Sequence, residues 1–240
     1  MKLLLLDIYS YLKFLFSPIQ DVEASLKKAT IVPGEDEKIF VIGMNKTGTT
    51  SVKAALQDFD IPVGHQGTAS NIFVYEGGVT FIEKILEYCK TAKAFQDIPF
   101  SVPHVYKVMH KAYPNAKFIL TCRDDASQWF NSLKKFTTKV FGKNGRLTKT
   151  DMILTDNYRK GSVYIRHKKI YGTLGFFDEK AYKNLYNNHI EDVTDYFSEY
   201  PDQLLVINIA EKDAYKRFCD FLGREPMYEQ FPWENKTKNK

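Results

Sequence analysis

Short apolar runs alternate with longer amphipathic segments along most of the chain. The runs are rich in β-branched and aromatic residues and predict strands at 39–43, 61–65, 93–97, 117–122 and 204–209. Between them, apolar residues recur at helical spacing at 49–59, 79–91, 102–112, 125–140 and 212–222. Such alternation is typical of βαβ units. The sequence therefore predicts an α/β fold, a three-layer sandwich with a central parallel sheet of about five strands and helices on both faces.

A further amphipathic helix is predicted between Asp178 and Pro201. Asp178 suits an N-cap position, and a helix cannot continue through Pro201. Aromatic and aliphatic residues recur between them at helical spacing, and His189 falls on the same apolar face. We therefore expect His189 to be a core residue rather than a ligand.

The N-terminal segment is apolar but too short for a membrane span. Asp7 and Lys13 interrupt it well below the ~20 apolar residues that a span needs. Helical spacing up to Pro18 predicts an amphipathic helix, carried by Leu4, Ile8, Leu12 and Leu15. We expect this helix to pack on the domain, with docking on a membrane or on a partner surface as the alternative. No cleavage pattern of small residues follows it.

Residues 141–177 interrupt the alternation of strands and helices. This stretch is basic, aromatic and rich in glycine, and such insertions usually cover the open end of a sheet. The sequence thus predicts an N-terminal helix and connector over 1–37, an α/β domain over 38–235 that carries this insertion, and a basic tail at 236–240.

Composition narrows the classes of protein. A chain of 240 residues with 44% hydrophobic and 26% charged residues suits one globular domain. The net charge of +5 is mild, and basic residues are not interleaved with aromatics, so we expect no nucleic-acid partner. Cys89, Cys122 and Cys219 lie far apart, which favours free thiols in a reducing, cytoplasmic compartment. Histidines and cysteines show no zinc-binding spacing, so no metal site is expected.

The segment "GMNKTGTTS", from Gly43 to Ser51, follows the first predicted strand like a P-loop. A Walker A loop has its lysine directly after the second glycine, where it reaches the β and γ phosphates. Here Thr49 occupies that position, and the lysine, Lys46, lies inside the loop. The segment therefore lacks the principal cation of a nucleoside triphosphatase. A glycine, several hydroxyls and a helix N-terminus still predict a P-loop-like site for a phosphate.

This segment resembles the 5′-phosphosulfate loop of sulfotransferases that use 3′-phosphoadenosine 5′-phosphosulfate (PAPS). The matching residues are "KTGTTS", placed between a strand and a helix as in that family. The resemblance implies that the loop binds PAPS, and its product PAP, without a metal. The implied binding residues are Asn45, Lys46, Thr47, Gly48, Thr49, Thr50 and Ser51.

A second match follows the strand at 117–122, in "RDDASQWFNSL". Members of the family have an arginine at this strand end and a serine about two helical turns later, and both bind the 3′-phosphate. The resemblance assigns these roles to Arg123 and Ser132. Family members usually have the serine eight positions after the arginine, where this chain has Asn131, and Ser127 is the alternative.

The catalytic base is implied by a third, weaker match. "AFQDIPF" follows a strand at the position of the base in the family, which makes Asp97 the candidate. His65, after the strand predicted at 61–65, is the competing base, because other branches place theirs on that segment. Without the resemblance, Asp97 before Ile98 and Pro99 would be interpreted as a turn residue.

The resemblance implies sulfuryl transfer from PAPS to a hydroxyl or amine of a small molecule, a carbohydrate or a lipid. The insertion would line or cover the acceptor pocket with its aromatic and cationic residues: Tyr158, Arg159, Lys160, Tyr164, Arg166, His167 and Tyr171. Two alternatives stay open. One is a nucleotide-dependent kinase or hydrolase with a degenerate P-loop. The other is a PAP-binding module without activity, held by its N-terminal helix on a membrane or partner.

Overall fold

A computed structural model describes residues 22–155, 161–172 and 175–232. Four parallel strands form one sheet with the order β2-β1-β3-β4. Their bounds are Ile39–Val41 for β1, Ala94–Gln96 for β2, Lys117–Thr121 for β3 and Leu204–Ile207 for β4. The helix predicted before Pro18 and the tail at 236–240 lie outside the described residues.

Ten α-helices surround the sheet in the described part of the chain. They are α1 (Val22–Lys28), α2 (Thr49–Asp58), α3 (Gln66–Tyr75), α4 (Gly78–Tyr88), α5 (Val105–Ala112), α6 (Ala126–Phe141), α7 (Lys149–Leu154), α8 (Ser162–Tyr171), α9 (Glu179–Phe197) and α10 (Ala214–Leu222). Short 3₁₀ turns follow α4 at Cys89–Thr91 and precede β4 at Pro201–Gln203. None of these helices combines the length and the hydrophobicity that a membrane crossing requires.

The alternation of side chains along the strands divides the core between the two faces of the sheet. Phe40 on β1 lies between Phe95 and Phe118 of the neighbouring strands, on the face covered mainly by α4, α5 and α9. Val41 and Ile119 point to the other face, where α2 and α10 pack. The three layers follow from this alternation, because each face of the sheet is hydrophobic and needs a helical cover.

A third apolar cluster lies beyond the carboxyl end of the sheet. Trp129 and Phe130 of α6 meet Tyr182 and Tyr186 of α9 there, together with Tyr171 of α8. The cluster joins the insertion to the two helices that follow β3 and precede β4. The insertion is therefore fixed at the end of the sheet where ligands of parallel α/β proteins bind.

The predicted fold class is confirmed, with one strand fewer than expected. The segment 61–65 contributes only an isolated parallel bridge, between Val63 and Ala94. Pro62 has no N–H to donate, and His65 already caps α3, so the pairing is limited to one residue. The prediction of a strand there was wrong.

The helices of the regular βα units lie where the pattern predicted them, within a few residues. Asp178 accepts from the N–H of Ala181 (2.9 Å) as the N-cap of α9. His189 is buried and donates from Nε2 to the carbonyl of Ile42 (2.9 Å), which confirms it as a core residue. The pattern did not predict α1, α3, α7 or α8.

Candidate active site

The loop after β1 is held tightly against β3. A Cβ added to Gly43 would lie 2.0 Å from Thr121 Oγ1, so only glycine fits at that point. Thr47 is fully buried and donates from Oγ1 to the carbonyl of Met44 (2.6 Å). The Thr121 hydroxyl lies 2.5 Å from the same oxygen of Thr47. The side chain of Thr47 thus fixes the loop rather than pointing into the crevice.

The N-terminus of α2 is open to an anion. Gly48 precedes the helix with a left-handed φ of 104°, and no side chain caps the helix. A Cβ on Gly48 would also lie 2.3 Å from Ile209, so close packing enforces glycine here. The first-turn N–H groups of Thr49 and Thr50 have no acceptor inside a helix, and the first turn contains no acidic residue. The partial positive charge of the helix end is therefore not neutralised by the chain.

Lys46 and Arg123 meet at this helix end. Arg123 donates from Nε to the carbonyl of Lys46 (2.7 Å), and its backbone N–H donates to the hydroxyl of Tyr186 (2.8 Å). Burial and the nearby Arg123 guanidinium both lower the pKa of Lys46, whereas Asp97 opposes this effect. Lys46 Nζ lies 4.0 Å from the ring centre of Phe136 on α6. Two cations from separate loops are therefore brought together at the N-terminus of α2.

Asn45 connects the loop with α6 and the insertion. Trp129 donates from its indole N–H to the carbonyl of Asn45 (3.0 Å), and Tyr171 donates to Oδ1 of Asn45 (3.3 Å). The Trp129 ring stacks on Tyr186 at a centroid distance of 4.7 Å. The side-chain carbonyl of Asn45, one of the predicted binding groups, is thus bonded to the insertion.

Asp97 follows β2 and has a left-handed backbone with φ of 61°. Its Oδ2 accepts from the amide of Gln66 (2.7 Å), and its Oδ1 accepts from the N–H of Ile98 (2.8 Å). Burial raises the pKa of Asp97, and these hydrogen bonds, with the charges of Arg166 and Lys46, act in the opposite direction. A largely buried carboxylate with a raised pKa beside a lysine is suited to accept a proton.

Gln66 is a site residue that the sequence did not reveal. Its Oε1 accepts from the amide of Gln96 (3.3 Å), so both amides support the carboxylate of Asp97. Gln96 is 5% exposed, and its Oε1 has no partner in the described part of the chain. The available signal was the position of Gln66 directly after His65, on the segment already considered for the base.

His65, the competing base, has a structural role. It is exposed and forms the N-cap of α3, with Nδ1 accepting from the N–H of Thr68 (3.3 Å). Gln66, which directly follows His65 in the sequence, donates a hydrogen bond to Asp97. The geometry therefore favours Asp97 over His65 as the group that faces Lys46.

Helical spacing separates the two candidate serines on α6. Ser132 is three residues after Trp129 and four before Phe136, so it lies on the face that contacts the loop. Ser127 is exposed and lines an outer groove with Asp124 and residues of α9. Ser132 therefore lies on the side of α6 that faces the loop and Ser127 in the outer groove, and the assignment of the 3′-phosphate to Ser132 stays a prediction.

The insertion contributes both structural and candidate site residues. Lys169 donates to the carbonyls of Phe73 (2.7 Å) and Glu76 (2.8 Å) at the end of α3, and burial lowers its pKa to about 8. Burial among aromatic rings lowers the pKa of His167 to about 4. Arg166 lies close enough to Asp97 to affect its pKa. Lys169 and His167 therefore hold the insertion in place, and Tyr158, Arg159 and Lys160 lie outside the described residues.

Fold and site together define an α/β domain with a P-loop-like anion site that lacks the Walker lysine. A family model described as "Sulfotransferase domain" matches residues 38–239. The chain belongs to this family and is a sulfotransferase, which confirms the resemblance found in the sequence. No curated protein matches the chain.

Proposed function

We propose that the protein transfers a sulfuryl group from PAPS to a hydroxyl or amine of a small-molecule, carbohydrate or lipid acceptor. The observation that carries the proposal is the meeting of Lys46 and Arg123 at the open end of α2. Two cations that repel each other beside an uncapped helix end require an anion for neutralisation. A nucleotide with a 5′-phosphate and a 3′-phosphate would supply negative charge to both cations.

The donor set fits this nucleotide. The N–H groups and hydroxyls of Thr49 and Thr50 begin α2, where a 5′-phosphate would be accepted, whereas the N–H of Ser51 already donates to the carbonyl of Gly48. Arg123 and Ser132 would bind the 3′-phosphate, because the planar guanidinium offers paired donors to phosphate oxygens. PAPS supplies an activated sulfuryl group whose leaving group is the 5′-phosphate of PAP.

Two residues of the chain take up the proton that the acceptor loses and stabilise the negative charge that forms on the leaving group. The acceptor oxygen or nitrogen forms a bond to sulfur while the bond from sulfur to the bridging oxygen breaks. The acceptor proton passes to a carboxylate oxygen of Asp97. Lys46 stabilises the negative charge that develops on the bridging oxygen, and preorganised charges of this kind usually make the largest contribution to catalysis. No step in this in-line transfer uses a metal ion.

Asp97 is the proposed base, supported by its place beside Lys46 and by its amide contacts. His65 remains the alternative, and its hydrogen bond to Thr68 counts against it. The reacting group of the acceptor would lie near α8, since Arg166 is near Asp97 and Tyr171 contacts Asn45. Free thiols at Cys89, Cys122 and Cys219 support action in a reducing, cytoplasmic compartment, with peripheral membrane contact as a further possibility for the N-terminal helix.

Thermal unfolding with nucleotides tests the proposed donor. Because PAP carries both phosphates, we expect it to raise the melting temperature by several degrees without magnesium. A ligand at 100 times its Kd stabilises by about 2.7 kcal/mol, which corresponds to roughly 5–10 °C for a domain of this size. AMP, which has no 3′-phosphate, is expected to raise the melting temperature less than PAP does. A shift with ATP and magnesium but none with PAP would instead indicate a kinase or hydrolase.

Replacement of Arg123 by alanine is expected to remove the preference for PAP over AMP. The ratio of their affinities should fall by about tenfold or more, because a hydrogen bond to a charged group contributes about 1.5–3 kcal/mol. Isothermal titration calorimetry measures both affinities. Arg224→Ala, at an exposed arginine after α10, is the control and should keep the ratio. An unchanged ratio in Arg123→Ala would remove Arg123 from the site.

A further inference from the structure

The surface of α6 and the loop that follows it is strongly basic. Between Asp125 and Asp151 the chain has no acidic residue and six cations, all exposed: Lys134, Lys135, Lys139, Lys143, Arg146 and Lys149. None of the six forms an ion pair with a carboxylate of the described residues. The protein as a whole has a net charge of only +5, so this density of positive charge is local.

The basic surface continues from the proposed transfer site. Ser132, Lys135, Phe136 and Lys139 have the spacing i, i+3, i+4 and i+7, so they share one face of α6. Lys46 Nζ lies 4.0 Å from the ring centre of Phe136. The cations on this face of α6 therefore begin about one helical turn from the catalytic lysine.

The order of groups along α6 separates these cations from the donor site. Arg123 precedes the first turn of α6, whereas Lys46 lies over Phe136, ten residues after Ala126 or about 15 Å along the axis. Lys139 and Lys143 lie still further along the chain. The proposed phosphate-binding groups thus precede Phe136, as Lys135 also does, and Lys139 and Lys143 extend away beyond it, where an acceptor would lie.

The shape and lining of this surface favour a chain-like polyanion. Lys134, Lys135 and Lys139 line a groove of about 600 Å³ together with Asn131 and Thr138. Phe136, the one large apolar side chain exposed on α6, lies beside this groove and is partly covered by Lys46. A surface that docks on a bilayer combines cations with apolar residues that enter the lipid. A groove of cations and hydrogen-bonding groups instead complements a hydrated polymer with repeated negative charges.

We infer that the acceptor is an acidic polysaccharide or oligosaccharide that binds along this groove through its carboxylates. One sugar hydroxyl of the bound chain then reaches Lys46 and Asp97, while neighbouring units are held by Lys135, Lys139 and Lys143. The inference rests on the proposed function, because it names the acceptor of the same transfer site. The bond changes and the proton transfer are those given above.

Direct binding to polygalacturonate, with neutral dextran as the comparison, tests this inference. We expect the wild-type protein to bind polygalacturonate at least about tenfold more tightly than dextran, and less tightly as salt is raised. The triple variant Lys135→Ala/Lys139→Ala/Lys143→Ala should lose about tenfold in that affinity and keep its affinity for PAP. The charge-matched control Lys27→Ala/Lys28→Ala/Lys90→Ala, at exposed lysines away from the groove, should behave like the wild type.

Three results would overturn the inference: equal binding of dextran and polygalacturonate, undiminished binding by the triple variant, or an equal loss in the control. Binding to phosphatidylglycerol vesicles is measured for the wild type and the triple variant as well. If the groove lysines are needed for vesicles and not for polygalacturonate, the surface is a membrane site. Affinity for PAP is measured separately. A wild type that binds PAP but not polygalacturonate overturns this inference alone, whereas a wild type that does not bind PAP overturns the proposed function.

Discussion

Lys46→Met is expected to lower kcat for sulfuryl transfer by about 10²–10³-fold. The lysine is the cation that we place beside the bridging oxygen of the donor, and loss of one preorganised donor from such a site has an effect of this size. Methionine keeps most of the length and the apolar contact with Phe136. Single-turnover assays with radiolabelled PAPS measure the effect.

The free protein should not be destabilised by this change. Burial and the charge of Arg123 both lower the pKa of Lys46, and the hydrogen bond from Arg123 goes to the backbone carbonyl of Lys46 rather than to its side chain. The melting temperature without ligand is therefore expected to stay the same or to rise. Lys53→Met, one turn into α2, is the matched control and should keep its turnover. Turnover close to that of the wild type in Lys46→Met would exclude the proposed role.

Asp97→Asn is expected to lower kcat by about 10²–10⁴-fold, the usual contribution of a general base, with little change in PAP affinity. Asparagine adopts left-handed backbone conformations readily, so the φ of 61° is tolerated. The hydrogen bond from the N–H of Ile98 can be kept, and the Gln66 amide can rotate to accept from the new amide. Steady-state kinetics with calorimetry separate turnover from binding.

The matched comparison is His65→Asn, because asparagine is also a good N-cap for α3. We expect this variant to keep most of its turnover. Near-normal turnover in Asp97→Asn, together with a large loss in His65→Asn, would transfer the role of base to His65.

The pH dependence of kcat provides a second measurement of the same role. The base form of Asp97 is the carboxylate, so kcat should fall as the pH is lowered through the pKa of this residue. Burial raises that pKa, which places the fall at a higher pH than for an ordinary aspartate. Gln66→Leu removes a hydrogen bond that favours the carboxylate, and the fall should then move to higher pH still.

The regular βα units could be predicted from the sequence because each local pattern agrees with the final packing. Phe40 and Val41 face opposite helical layers, and that alternation is readable in the sequence itself. The segment 61–65 has the composition of a strand, but Pro62 and the cap at His65 leave only one paired residue. The helix α3 follows with glycine, serine and asparagine among its residues, which obscures the helical period.

Much of the candidate site depends on residues distant in sequence. Lys46, Arg123 and Asp97 were recognisable because each follows a strand, and parallel strands end at the same edge of the sheet. The contacts of Gln66 with Asp97, and of Lys46 with Phe136, depend on how α3 and α6 pack, and no local pattern encodes them. The same is true of Tyr171, whose bond to Asn45 joins residues 126 positions apart.

The indole of Trp129 gives the protein an internal optical reporter. Its ring lies under the loop that carries Lys46 and is bonded to the carbonyl of Asn45, so its emission depends on the arrangement of that loop. The chain has two tryptophans, and Trp233→Phe would leave Trp129 as the sole tryptophan. Stopped-flow fluorescence could then time the entry of the donor and the departure of the spent nucleotide without any label.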